Sequence, residues 1–245
     1  MDLPPELIDE IISHIPPHDV KSLRNCSLVA KTWVFPSQRR IFEIVKIDKR
    51  VHLKSWLGSI SPENIEVLQH VRTLHYNYQV AKENLNLPNG SDIIRRYLPS
   101  FCKLGRLTLV LGHFTSPTQI GAFSAFQQTL SYLCLWSCSV TISTLATFVN
   151  CFPNLAHLDL TSLSSKPDDQ PAPSFSRPLR KLSIAEFITG DSLDLLDQLM
   201  ELRPRSDEVS VNVGLSSSPS VTQRIVDGMG ASIKRMNLKS NLLGG

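Results

Sequence analysis

Residues 130–138 read LSYLCLWSC, with Leu130, Leu133 and Leu135 in a Leu-x-x-Leu-x-Leu phrase and Tyr132, Cys134 and Trp136 on the alternate positions. Successive side chains of a strand point to opposite faces, so Leu133 and Leu135 share one face of a short strand and Tyr132, Cys134 and Trp136 the other. The phrase recurs at Leu104, Leu107 and Leu109, at Leu155, Leu158 and Leu160, and at Leu179, Leu182 and Ile184. Weaker copies stand at Val209 and Val211 and at Ile233, Met236 and Leu238, and an early one at Val71, Leu74 and Tyr76. Counted on the middle position, the steps from Leu107 through Leu133, Leu158, Leu182 and Val209 to Met236 are 26, 25, 24, 27 and 27 residues. A fixed period of this size means a stack of like units, because one unit alone cannot bury its apolar face.

That period lies in the range of about 20–29 residues of leucine-rich repeats, which also expect Asn or Cys three positions beyond the last leucine, where Cys138 and Asn241 stand. Each unit must return along the outside of the arc. Residues 120–126, 145–149, 193–202 and 221–229 have helical or near-helical apolar spacing and are expected to be such returns. Residues 161–178 are not, since SSKPDDQPAPS is polar and proline-rich and predicts a mobile loop in place of a helix. Residues 83–92, with Pro88, Asn89 and Gly90, are a second interruption. The fold class is α/β, read as a strand/helix solenoid. A doubly wound sheet is the competing architecture, and the short strands with polar alternate positions weigh against it.

The first 36 residues, MDLPPELIDEIISHIPPHDVKSLRNCSLVAKTWVFP, hold three short apolar helical patterns between proline stops. Pro4 and Pro5 suit a first helical turn, with Leu7, Ile8, Ile11, Ile12 and Ile15 following at helical spacing. Asp19 is placed to cap a second helix and Ser27 to open a third that Pro36 stops. These residues exceed what so small a unit can bury, so a partner is expected to cover the rest.

In order and spacing, the Leu3–Pro4–x–Glu6 opening, the Ile11 and Ile15 pair, the Pro16–x–x–Asp19 step, Leu23, and the run from Ser27 to Trp33 resemble the F-box motif. The likeness covers Leu3 to about Ile41. It departs from the usual pattern just before the tryptophan, where this chain has Lys31-Thr32-Trp33. The resemblance implies a three-helix F-box that binds a Skp-type adaptor, and through it a cullin, while the rest of the chain captures a protein for ubiquitylation. It places Leu3, Pro4, Ile8, Ile11, Ile15, Leu23, Val29 and Trp33 at positions that face the adaptor or hold the helices together, without dividing them between those duties. The expected organisation is an F-box at 1–41, a transitional cap with irregular first repeats at 42–100, including a strand at 43–47, and the repeat solenoid at 101–245. An F-box head before leucine-rich repeats is a common arrangement in substrate receptors of SCF-type ligases.

With 245 residues and 42% hydrophobic content, the chain can build a sizeable core. No apolar run approaches a membrane span and no signal-peptide pattern opens the chain, which points to the cytoplasm or nucleus, with no membrane partner. Five cysteines, an odd number inside apolar patterns, fit reduced thiols. The net charge of +3, without a basic and aromatic stripe, gives no nucleic-acid signal. Pro16 and Pro17 break the His14 and His18 spacing, Cys134 and Cys138 have no second cysteine pair, and no nucleophile elbow or phosphate-cradling glycine loop is present. The chain is therefore expected to need no cofactor or metal and not to be an enzyme. Side chains between the inward leucines are the candidate substrate surface: Arg106, Tyr132, Trp136, His157, Asp159 and Lys181, with residues 164–176 as a rival element. A repeat scaffold without a ubiquitylation role is the alternative function. The last unit lacks a polar cap, so residues from about 221 onward are expected to fray or to be covered.

Overall fold

The computed structural model describes residues 3–48, 65–79, 100–116, 120–166, 168, 171–186, 190–202, 204–213, 219–229 and 235–240. The 83–92 interruption and Asn241 lie outside them. At the N-terminus stand helices α1 (Pro5–His14), α2 (Val20–Ser27) and α3 (Lys31–Ile41). Pro5 occupies the first turn of α1, where its missing N–H costs nothing, and the Pro4 carbonyl accepts from Leu7 and Ile8. Asp19 caps α2 by accepting from the Ser22 amide at 3.1 Å, and hydrogen bonding from the Ser22 side chain and then its amide holds the Asp19 carboxyl below the ordinary aspartate value.

The third helix differs from expectation at both ends. Ser27 ends α2, its hydroxyl donating to the Arg24 carbonyl, and α3 starts only after Ala30, whose backbone is extended. Pro36 lies inside α3 rather than stopping it. Proline there forfeits one intrahelical bond. Its ring is buried, and the tertiary packing of α3 offsets that loss. Ile8, Ile12 and Leu23 form the core of this head, with Ile15, Cys26, Trp33 and Ile41 packed against it.

A parallel eight-stranded sheet follows, in the order β1 (Ile44–Ile47), β2 (Thr73–Asn77), β3 (Arg106–Val110), β5 (Tyr132–Trp136), β7 (His157–Thr161), β9 (Leu179–Ala185), β10 (Ser206–Val213) and β11 (Arg235–Ser240). The order never reverses, which separates it from a doubly wound sheet with its switch point. Register follows the leucine phrase: Val45, Leu74, Leu107, Leu133, Leu158, Leu182, Val209 and Met236 stand side by side. The next row is Ile47, Tyr76, Leu109, Leu135, Leu160, Ile184, Val211 and Leu238. β1 and β2 share this register, so the regular sheet begins at Ile44, well before residue 100. β11, where fraying was expected, pairs with β10 over six residues.

The residue after each of four strands is left-handed: Leu111 (φ 56°), Ser137 (50°), Ser162 (52°) and Glu186 (60°). Such a conformation costs a non-glycine residue roughly 1–2 kcal/mol. It turns the amides of Leu111, Ser137 and Ser162 onto the carbonyls of Trp136, Thr161 and Ala185, one strand further along, at 2.8–3.0 Å. Past three of these corners run β4 (His113–Phe114), β6 (Ser139–Val140) and β8 (Ser164–Ser165), which form a second, three-stranded parallel sheet.

The outer returns are a 3-10 turn (Gly121–Phe126) and helices α4 (Ile142–Asn150), α5 (Gly190–Glu201) and α6 (Pro219–Met229), close to the spans expected. No helix is present among the described residues of 161–178, as expected, yet this segment is not a free loop. Beyond β8, Asp168 accepts from the Ser143 amide at 2.8 Å at the start of α4, and Asn150 at its end bonds the Ser174 carbonyl and the Ser176 amide, each at 2.9 Å. Ala172 and Phe175 pack against the main core. The segment is thus fastened along α4 in the place a return helix would take.

α6 meets α5 at Gly228, where an added Cβ would lie 2.4 Å from the Met200 Cβ. Gly228→Ala is expected to lower stability by about 1–3 kcal/mol through overpacking, read as a lower urea midpoint. An unchanged midpoint would show that the two helices separate freely.

Candidate functional site

Two surfaces present to solvent side chains that lie outside the apolar cores. The first is on the head. α1 is apolar on two sides: Ile8 and Ile12 are buried, whereas Leu7 and Ile11, with Leu3 before the helix, repeat every four residues and stay more than 40% exposed. Leu28 (83%) and Val29 (65%) between α2 and α3 are also bare, and Phe35 (61%) on α3 is exposed with its ring edge-on to His70 at 5.6 Å. Six large apolar residues exposed on so small a unit make the head a candidate docking surface.

Burial makes the division that the motif left open. Leu3, Pro4, Ile11 and Val29 are on the surface. Ile8 and Leu23 are enclosed in the head's own core and leave no face for a partner, while Ile15 and Trp33 are half-buried against that core. Leu7, Leu28 and Phe35 join the exposed set without having been assigned to it. For Leu7 the signal was present, because it lies four residues from both Leu3 and Ile11.

The second surface is the polar face of the sheet. Leucines on the opposite face bury alternate positions of β3, β5 and β7, and this leaves Arg106, Tyr132, Trp136, His157 and Asp159 at least partly exposed. The Arg106 guanidinium lies 4.6 Å from the Tyr132 ring centroid, a cation–π contact. The Tyr132 hydroxyl donates to Asp159 Oδ2 at 3.1 Å, Thr161 donates to Oδ1 at 3.4 Å, and His157 meets the Tyr132 ring edge-on at 6.3 Å. Burial and the neighbouring Asp159 carboxylate push the tyrosine's pKa up, so it remains a donor near neutrality. Burial likewise raises the Cys134 thiol to about 12, a value that makes it a poor nucleophile. Trp136 stands at the rim, 46% exposed.

Lys181, further along the sheet, is joined to Glu208 at 3.0 Å rather than to this cluster. Cys138 is buried beneath the corner, its thiol within 3.3 Å of the Leu109 carbonyl and 3.4 Å of the Trp136 carbonyl, which explains a small polar residue at that repeat position. Among the described residues no group of three or more His, Cys, Asp or Glu could hold a metal ion, and no helix is long and apolar enough to cross a membrane.

Residues 1–33 match the F-box domain family, a span that takes in α1, α2 and the first turn of α3. No curated protein matches the chain. The exposed Leu3, Leu7, Ile11, Leu28 and Val29 all fall within the matched span.

Proposed function

We propose that this chain is the substrate-recognition subunit of an SCF-type cullin–RING ubiquitin ligase. In this reading the head docks a Skp-type adaptor, and the strand/helix array is a leucine-rich-repeat-type solenoid whose polar sheet face receives the protein to be ubiquitylated. The observation that carries the reading is the F-box match at residues 1–33 coinciding with the bare apolar side chains of α1 and the α2–α3 turn. F-box domains bind Skp-type adaptors, so this surface has an expected cover. The sequential strand order and a step of 24–27 residues support the repeat assignment. The transfer chemistry belongs to other subunits, and this chain works without a cofactor, in the cytoplasm or nucleus.

The network around Tyr132 gives the sheet face a preformed recognition patch beside an exposed tryptophan, the residue types that dominate protein interfaces. Tyr132→Ala with Trp136→Ala is expected to weaken capture of a co-purifying protein by about thirtyfold or more, since hot-spot truncation costs about 2 kcal/mol or more. Adaptor recovery should not change. Affinity purification with and without proteasome inhibition tests both halves of the proposal. A captured protein whose level rises when the ligase is lost supports a receptor, and a captured protein with unaltered turnover supports a scaffold. Recovery of the same partners in equal amounts by the double variant would move the site off the sheet face.

A further inference from the structure

A cavity of about 250 Å³ lies where the head meets the sheet, lined by Arg39, Arg40, His70 and Arg72, by one carboxylate, Glu43, and by Ile12, Ser13 and Pro36. Three separate stretches of chain bring these nitrogen donors together: α3 carries Arg39 and Arg40, the turn at Ile65–His70 carries His70, and the lead-in to β2 carries Arg72. Two carboxylates are nearby and both are engaged. Asp9 is 3.3 Å from Arg39, and Glu43 is 2.5 Å from Arg40. Arg40 also donates to the carbonyls of Ile15 and Ser13, each at 3.0 Å, so its guanidinium is committed to the fold. Arg72 and Lys103 have no ion pair among the described residues.

We propose that this cavity binds a phosphate-type oxyanion, with Arg72, Arg39 and His70 as its ligands. Planar guanidinium groups suit tetrahedral oxyanions because two parallel N–H donors meet two oxygens. Burial, then Arg39, Lys103 and Arg72, depress the proton affinity of His70, and no carboxylate opposes them. The imidazole thus registers a positive field that a bound anion would reverse. Because α3 belongs to the head and Arg72 leads into the sheet, the same anion would bridge the two. The site borders the head's exposed apolar set, since the Phe35 ring meets His70 edge-on at 5.6 Å, and it lies apart from the polar face of the sheet.

Pyrophosphate and inorganic phosphate are the first probes, titrated calorimetrically into the full chain in a phosphate-free buffer, and a phosphoserine peptide is the second. Saturable one-to-one binding is expected. Arg72→Ala should weaken it tenfold or more, as loss of a hydrogen bond from a charged group does, while Arg224→Ala, which removes a remote cation on α6, should leave it unchanged. In the parent chain, the His70 resonances should titrate at higher pH when pyrophosphate is bound. Tighter binding of either pyrophosphate or the peptide supports the site and names the source of its phosphate. Non-saturating heats, equal weakening by both variants, or a His70 titration that ignores pyrophosphate would overturn the proposal. Arg72→Gln, with circular dichroism matching the parent, guards against loss of fold as the cause.

Discussion

The Leu7→Asp, Ile11→Asp double variant is expected to lose Skp-type adaptor binding by about a hundredfold or more. Covering an apolar side chain of this size is worth roughly 1.5–3 kcal/mol, and two are removed and replaced by charges that would have to be desolvated. Both side chains are already more than 40% exposed, so the head should keep its helix content and melting temperature. Ile8→Asp makes the contrast. Ile8 is 1% exposed in a core of three fully buried side chains, and an unpaired carboxylate there should unfold the head. Calorimetric titration with the adaptor, paired with circular dichroism, separates the cases. Full-strength binding by the double variant would show that the α1 stripe is not the docking face.

Phe148→Ala is expected to lower stability by about 3–5 kcal/mol, among the largest effects a single substitution can have here. Phe148 is 1% exposed on α4, and its ring lies 5.7 Å from that of Phe114, 5.1 Å from Phe123 and 5.4 Å from Phe152. Phe126 stacks on Phe152 at 6.1 Å and extends the cluster. Truncation would open a cavity among rings from β4, the 3-10 turn and the turn that follows α4, and few of them can close it without leaving their rotamers. Chemical denaturation followed by tryptophan fluorescence measures the loss. A change below about 1 kcal/mol would mean that the outer layer repacks around the gap.

The leucine phrase made the sheet legible because one inward face with a period of two leaves a single register: shifting any strand by one residue would turn its leucines to solvent. Asp19 and the return spans were readable for a similar reason, since capping and helical spacing are local. The four left-handed corners were not, because Leu111, Ser137, Ser162 and Glu186 include no glycine or asparagine to signal them, and at the first three it is bonds across strands that hold the corner. β4, β6 and β8 have two residues each, too short for any alternation to show. Pro36 misled because its own preference is outweighed by burial that only the tertiary structure reveals. In the head, Ile8 and Ile11 are indistinguishable in composition and three residues apart. Which one faces inward depends on where α2 and α3 pack, and that is a property of the assembled helices.

The left-handed corners also mark where this chain can be cut and rejoined. Leu111, Ser137, Ser162 and Glu186 are 26, 25 and 24 residues apart, and each begins a segment that ends with the next strand of the large sheet. Joining Trp136 directly to Ser162 would remove β6, α4 and β7 as one block and leave β5 feeding a corner of the same handedness. A cut between unlike positions of two units would leave a corner amide or a ladder row without its acceptor. For this chain the natural unit of shortening, lengthening or exchange therefore runs from corner to corner, and its boundaries lie in the backbone dihedral angles rather than in the leucines.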